Sequence, residues 1–78
     1  MPFHIHRIAL YEGYETVVAV REVNRDDFMI SCQRARRRDG GTWAQVIVKN
    51  PGGYFPSVEA AFHAGDDAVR ARIDEWRA

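Results

Sequence analysis

The stretch Ile8-Ala9-Leu10-Tyr11-Glu12-Gly13-Tyr14-Glu15-Thr16-Val17-Val18-Ala19 decides the fold. Two apolar runs of strand length flank a Glu-Gly pair. Both are rich in the β-branched and aromatic residues that suit a pleated surface. Read as a two-residue loop, Glu12-Gly13 sets Tyr11 opposite Tyr14, Ile8 opposite Val17 and His6 opposite Ala19. A chain that turns back this sharply builds an antiparallel pair.

The same grammar continues on both sides. Polar breaks fall at Asn24-Arg25-Asp26-Asp27, at Asp39-Gly40-Gly41 and at Asn50-Pro51-Gly52-Gly53. Asp-Gly is the strongest of these as a hairpin signal, because it suits the backbone of a type I′ turn. The breaks delimit four strand-length segments: Phe3–Tyr11, Tyr14–Val23, Phe28–Arg37 and Thr42–Lys49. Short connections favour sequential antiparallel neighbours, so the expected sheet is a four-stranded meander.

After Gly53 the period changes. Val58, Ala61, Phe62, Gly65, Ala68, Val69, Ile73 and Trp76 follow the i, i+3, i+4, i+7 spacing of an amphipathic helix. Ser57 is placed to cap its first turn, Glu59 suits the start of the helix dipole and Arg77 suits its end. Gly65 falls on the apolar stripe with the phase unbroken, so the spacing predicts one continuous helix that approaches the sheet closely there. The fold class is α+β: a four-stranded antiparallel β-meander with one C-terminal α-helix packed on one face (ββββα), in a single domain spanning 1–78.

Register then sorts the side chains between faces. A four-residue loop at Asn24–Asp27 would set Val23 opposite Phe28 and Ala19 opposite Cys32. A two-residue loop at Asp39-Gly40 would set Arg36 opposite Trp43 and Cys32 opposite Ile47. One face then collects Ile8, Leu10, Val17, Ala19, Val23, Phe28, Ile30, Cys32, Trp43 and Ile47, and this richer set is assigned to the helix. The other face carries Ile5, Ala9, Tyr11, Tyr14, Val18, Val20, Met29, Ala44, Val46 and Val48. One helix covers only one face, so apolar surface is left over, and large exposed apolar patches mark interfaces. The expectation is a homodimer or a partner protein on Ile5, Tyr11, Tyr14, Val18, Val20, Val46 and Val48. An odd-length loop over 38–41 would instead swing Ala44, Val46 and Val48 to the helix side, and that alternative stays open.

Composition narrows the function. The chain has 78 residues, 46% of them hydrophobic, and 11 basic against 11 acidic side chains. That is too apolar and too balanced for a disordered chain. No apolar run reaches the ~18–20 residues of a membrane-spanning helix, and the first residues lack the basic-then-apolar layout of a signal peptide. A single cysteine, Cys32, forms no internal disulfide and points to a reducing, cytoplasmic setting. Cys32 lies mid-strand among apolar neighbours with no base in view, and the acidic pairs are adjacent in sequence rather than convergent. His4 and His6 share a strand face but stop short of the three or four ligands that zinc requires. The expectation is no enzyme, no metal and no cofactor.

The neutral total hides an uneven distribution. Ten of the 11 basic residues are arginine. Residues 34–49 hold five cations and one anion, whereas residues 57–78 hold three cations and five anions. Arg34, Arg36, Arg37 and Arg38 with Trp43 are the candidates for contact with nucleic acid or another anion, since guanidinium groups meet phosphate and an indole adds stacking. The basic hairpin could equally meet the acidic helix of a second copy.

Two resemblances follow from particular residues. Phe55-Pro56-Ser57-Val58-Glu59-Ala60-Ala61, Ala64-Gly65, Ala68 and Arg72-Ile73-Asp74 resemble the last helix of small bacterial domains of unknown function, which are similar in placing a glycine-containing helix after a β-meander. That resemblance implies a fold and no activity. Arg34-Ala35-Arg36-Arg37-Arg38, Trp43-Ala44-Gln45-Val46 and Phe55 with Glu59-Ala60-Ala61 are similar to sheet-plus-helix DNA-binding domains of the AP2 and integrase type. There, arginines and a tryptophan on the outer sheet face contact DNA, which implies such a role for Arg34, Arg36, Arg38 and Trp43. This chain departs from that pattern in its N-terminal hairpin and in its neutral overall charge. The reading as a whole is a small interaction module that self-associates, with nucleic-acid binding through the arginine hairpin as the alternative.

Overall fold

The computed structural model describes residues 4–45 and 53–78. Three long strands, β1 (His4–Tyr11), β2 (Tyr14–Asn24) and β3 (Asp27–Arg37), form an antiparallel sheet in sequence order. A two-residue segment, β4 (Ala44–Gln45), pairs with the end of β3. One helix, α1 (Val58–Arg77), follows. The α+β architecture with an antiparallel sheet and a C-terminal helix is therefore as expected. The fourth strand is seen in part: among the described residues of 42–49, Ala44 and Gln45 are paired strand, and 46–49 lie outside the described residues.

The first hairpin has the expected register, with Tyr11 opposite Tyr14, Ile8 opposite Val17 and His6 opposite Ala19. Its turn residues are both left-handed, Glu12 at φ 50° and Gly13 at φ 83°, as a type I′ turn requires. Ala35 opposite Ala44 and Arg34 opposite Gln45 keep the expected phase of the arginine hairpin, so the odd-length alternative is not realised. The expected Cys32–Ile47 pair falls outside the described residues.

The β2–β3 connection differs. Asn24 pairs with Asp27, leaving a two-residue turn in which Asp26 has φ 64°. The ladder slips twice, once at Val23 in β2 and once at Ser31 in β3. The slips compensate beyond Ser31, so Ala19 still opposes Cys32. Between them the pairing is shifted: Phe28 opposes Glu22 rather than Val23, and Ile30 opposes Val20.

Each bulge inserts one residue and breaks the alternation of faces. Phe28 and Ile30 consequently join Val18 and Val20 instead of Ala19 and Cys32. Their transfer reverses the balance of apolar bulk, and the helix packs on the face opposite to the one expected. The core holds Val18, Val20, Ile30 and Ala35 from the sheet against Ala61, Phe62, Val69 and Ile73 from α1. Tyr11, Tyr14, Phe28, Phe55, Val58 and Ala64 pack around it.

α1 forms as the spacing predicts. Ser57 caps it, with its hydroxyl accepting the Ala60 N–H at 3.1 Å. The helix runs unbroken through Gly65, where a Cβ would stand 2.7 Å from Val18 Cγ1 and 3.4 Å from Ile30 Cδ1. Its entry is fixed by Phe55, which exchanges two backbone hydrogen bonds with Phe28, at 2.8 and 2.9 Å. Among the described residues, no helix is long and apolar enough to cross a membrane.

Candidate interaction surface

With α1 on one side, the other side of the sheet is uncovered. The register lays it out in rows: His4, Arg21 and Met29; then His6, Ala19 and Cys32; then Ile8, Val17 and Arg34; then Leu10, Glu15 and Arg36, with Trp43 against Arg36 just before β4. Ala19 and Val17 are buried within the sheet, but Ile8 is 68% exposed and Leu10 58%. Both lie on β1, whose sole strand neighbour among the described residues is β2.

Of the expected self-association set, Val18 and Val20 are on the covered side, which corrects their assignment. Val18 and Val20 are fully buried beneath α1, and Tyr11 and Tyr14 pack against the same core. Ile5, on the same side, is at the rim and partly exposed. Val46 and Val48 lie outside the described residues. On the uncovered face, the large apolar residues left exposed among those described are Ile8 and Leu10, with Trp43 across the sheet, residues that uninterrupted alternation assigns to the core.

The arginine cluster divides. Arg34 and Arg36 belong to the uncovered face by register, Arg37 to the helix side opposite Tyr14, and Arg38 to the turn beyond. Arg36 is held firmly. Its Nη2 donates to Glu15 Oε1 at 3.1 Å, and its guanidinium sits 4.6 Å from the centre of the Trp43 ring. Its Nε is buried without a hydrogen-bond partner. Arg37 donates to Asp39 at 3.1 Å. Arg34 and Arg38 make no ion pair among the described residues. The four cations thus do not form one patch: Arg34, Arg36 and Trp43 share a face, and Arg37 and Arg38 lie at the end of the sheet.

The helix side is tied by polar contacts from β1. Arg7 lies over the Phe62 ring at 4.1 Å and donates to Glu59 at 3.1 Å. The Tyr11 hydroxyl donates to Asp74 Oδ1 at 2.8 Å, and that bond raises the phenol's pKa above its ordinary value. These contacts fix β1 onto α1 while leaving its opposite side exposed.

The His4 and His6 rings lie tilted against each other with centres 4.7 Å apart, and His4 Nε2 is 3.1 Å from Ser31 Oγ. Cys32, a free thiol, is half-buried on the same face. Among the described residues, no three His, Cys, Asp or Glu side chains converge on a metal position. The uncovered face offers apolar contact along β1 and cationic contact along β3, a class of surface suited to docking. The chain matches no protein-family profile, no curated protein and no solved structure. Both resemblances therefore rest on the residues quoted for them.

Proposed function

We propose that the chain is a non-enzymatic interaction module that pairs with a second copy through β1 and the uncovered sheet face. The observation that carries this is the exposure of Ile8 and Leu10, two residues apart on one face of an edge strand. Edge strands are ordinarily blunted by charge, proline, bulges or short length. β1 has eight residues in an unbulged ladder and no proline. Its one arginine, Arg7, is turned to the helix side and engaged by Glu59.

Sedimentation of the full chain tests the proposal. A concentration-dependent dimer is expected, and Ile8→Glu with Leu10→Glu should reduce it to a folded monomer. A native chain that stays monomeric at high concentration overturns the reading.

A second reading rests on Arg34, Arg36 and Trp43 sharing the uncovered face. By register that face also carries Arg21, against two acids: Glu15, which is already bound to Arg36, and Asp27 at the start of β3. A single nucleic-acid strand could meet such a surface through guanidinium–phosphate contacts and indole stacking. Fluorescence anisotropy with single-stranded and duplex DNA at low salt tests it: salt-sensitive binding weakened by Arg34→Glu would support it, and flat titrations would remove it.

A further inference from the structure

The first hairpin turn, the turn after β3 and the last turn of α1 meet at one end of the molecule. The Arg38 N–H donates to the Gly13 carbonyl at 2.9 Å and joins the two turns. Arg77, in the last turn of the helix, reaches back to Glu12 at 3.4 Å. Between these elements is a cleft of about 490 Å³ lined by Tyr14, Arg37, Arg38, Arg77, Glu12 and Asp39, with Gly13 at the turn. The uncovered sheet face does not include it, and the inference here is independent of self-association.

We infer that this cleft binds the phosphate of a small phosphorylated molecule of nucleotide size. Three arginines line it, the consecutive Arg37 and Arg38 at the end of β3 and in the turn beyond, and Arg77 from α1, against two carboxylates. Each carboxylate occupies one arginine, Asp39 on Arg37 and Glu12 on Arg77. Arg38 makes no ion pair among the described residues, leaving its guanidinium to meet an anion. An arginine carries five N–H donors, so the paired arginines also keep donors for an incoming oxyanion. Both ion pairs are solvent-exposed, where such pairs add little to stability. The acids therefore orient the guanidiniums without closing the site.

Glu12 ties the first turn to the helix. Its φ of 50° is what the type I′ turn demands of either central residue. The feature that glutamate brings to this turn is its carboxylate, which holds Arg77 over the cleft. Half-buried Tyr14, with its ring 6.0 Å from that of Trp76, supplies an aromatic wall. The volume lies within the range of small-molecule sites, and guanidiniums beside an aromatic ring suit a phosphate attached to a planar body.

The test is a titration of the full chain, followed by the backbone amide NMR signals of residues 12–14 and 37–39. The probes are inorganic phosphate, adenosine 5′-monophosphate, adenosine and a short single-stranded oligonucleotide. The monophosphate should shift these signals and bind more tightly than inorganic phosphate, while adenosine leaves them unmoved. Arg38→Ala with Arg77→Ala should weaken the monophosphate by about tenfold or more, the scale of lost charge-assisted hydrogen bonds. Arg34→Ala, on the uncovered face, should not change it. The inference is overturned if the monophosphate moves no cleft signal, if the double variant binds as the native chain does, or if the oligonucleotide alone binds.

Discussion

Gly65 concentrates the relation between sequence and packing in one position. Its place on the apolar stripe was readable from spacing, and so was its close approach to the sheet. The identity of the neighbour was not, since Val18 was assigned to the other face. In most helix interiors, alanine in place of glycine gains about 1 kcal/mol. Here the added Cβ would stand 2.7 Å from Val18 Cγ1, on a stiff β-branched side chain that cannot swing aside. Overpacking of about 1–3 kcal/mol then outweighs the propensity gain. Gly65→Ala should lower the urea midpoint, and the loss should be smaller in a Val18→Ala background. Equal losses in both backgrounds would show that the two residues do not meet. The neighbouring Asp66 supplies a pH prediction. Partial burial pushes its carboxyl above the ordinary 3.8, only partly opposed by the Arg70 and Arg7 guanidiniums. A raised native pKa means that the folded chain holds this proton more tightly than the unfolded one. The resulting stabilisation is present below the ordinary value and is lost as pH rises through the raised one. Asp66→Asn should therefore gain stability relative to the native chain at neutral pH, with the advantage shrinking in acid. Parallel denaturation series at several pH values would show it.

At the scale of elements, the strands, the first turn and the capped helix were legible because each has a local cause. Glu12-Gly13 provides a turn, Ser57 a cap, and the spacing of Val58 to Trp76 a stripe. The two bulges have no such mark, since neither Val23 nor Ser31 is a glycine or otherwise unusual in a strand. Because the slips compensate, the pairing of Ala19 with Cys32 is unaffected, and only the intervening residues change sides. That exchange, of Phe28 and Ile30 above all, inverted the assignment of the faces and with it the candidate interface. The freed element is β1. A second copy added symmetrically to its edge must run antiparallel, with one residue facing its own equivalent. Centred on Arg7, the pairing would set two guanidiniums side by side, which is unfavourable. Centred on Ile8, it sets Ile8 beside Ile8 of the second copy, Leu10 beside His6 and Arg7 beside Ala9. In a Cys32→Ser background, Ile8→Cys should form a disulfide-linked dimer under mild oxidation, whereas Arg7→Cys should not. Efficient crosslinking through position 7 and not 8 would exclude this register.

At the scale of the molecule, the neutral total charge conceals a division that the fold arranges in space. The acids of α1 engage the sheet through Arg7–Glu59 and Tyr11–Asp74, on the covered side. The uncovered side keeps its arginines along β3 and its exposed apolar residues along β1. The linear pattern of charge was enough to separate a basic hairpin from an acidic helix. Strand alternation already separated Arg34 and Arg36 from Arg37, but neither could reveal that Arg37 and Arg38 meet the last turn of α1, because that depends on how the helix end packs. This geometry lets ionic strength discriminate among the modes of association. Apolar contact between β1 strands is indifferent to screening and is strengthened by excluded salts such as sulfate. Contact between the arginine hairpin and the acidic helix of another copy, or between arginines and phosphate, weakens as salt rises. The dimer should therefore persist in sedimentation runs from low to molar salt. It should be lost on Ile8→Glu with Leu10→Glu and unaffected by Arg34→Glu. A dimer that dissociates with rising salt and survives the Ile8 and Leu10 changes would transfer the interface from the apolar strand to the charged hairpin.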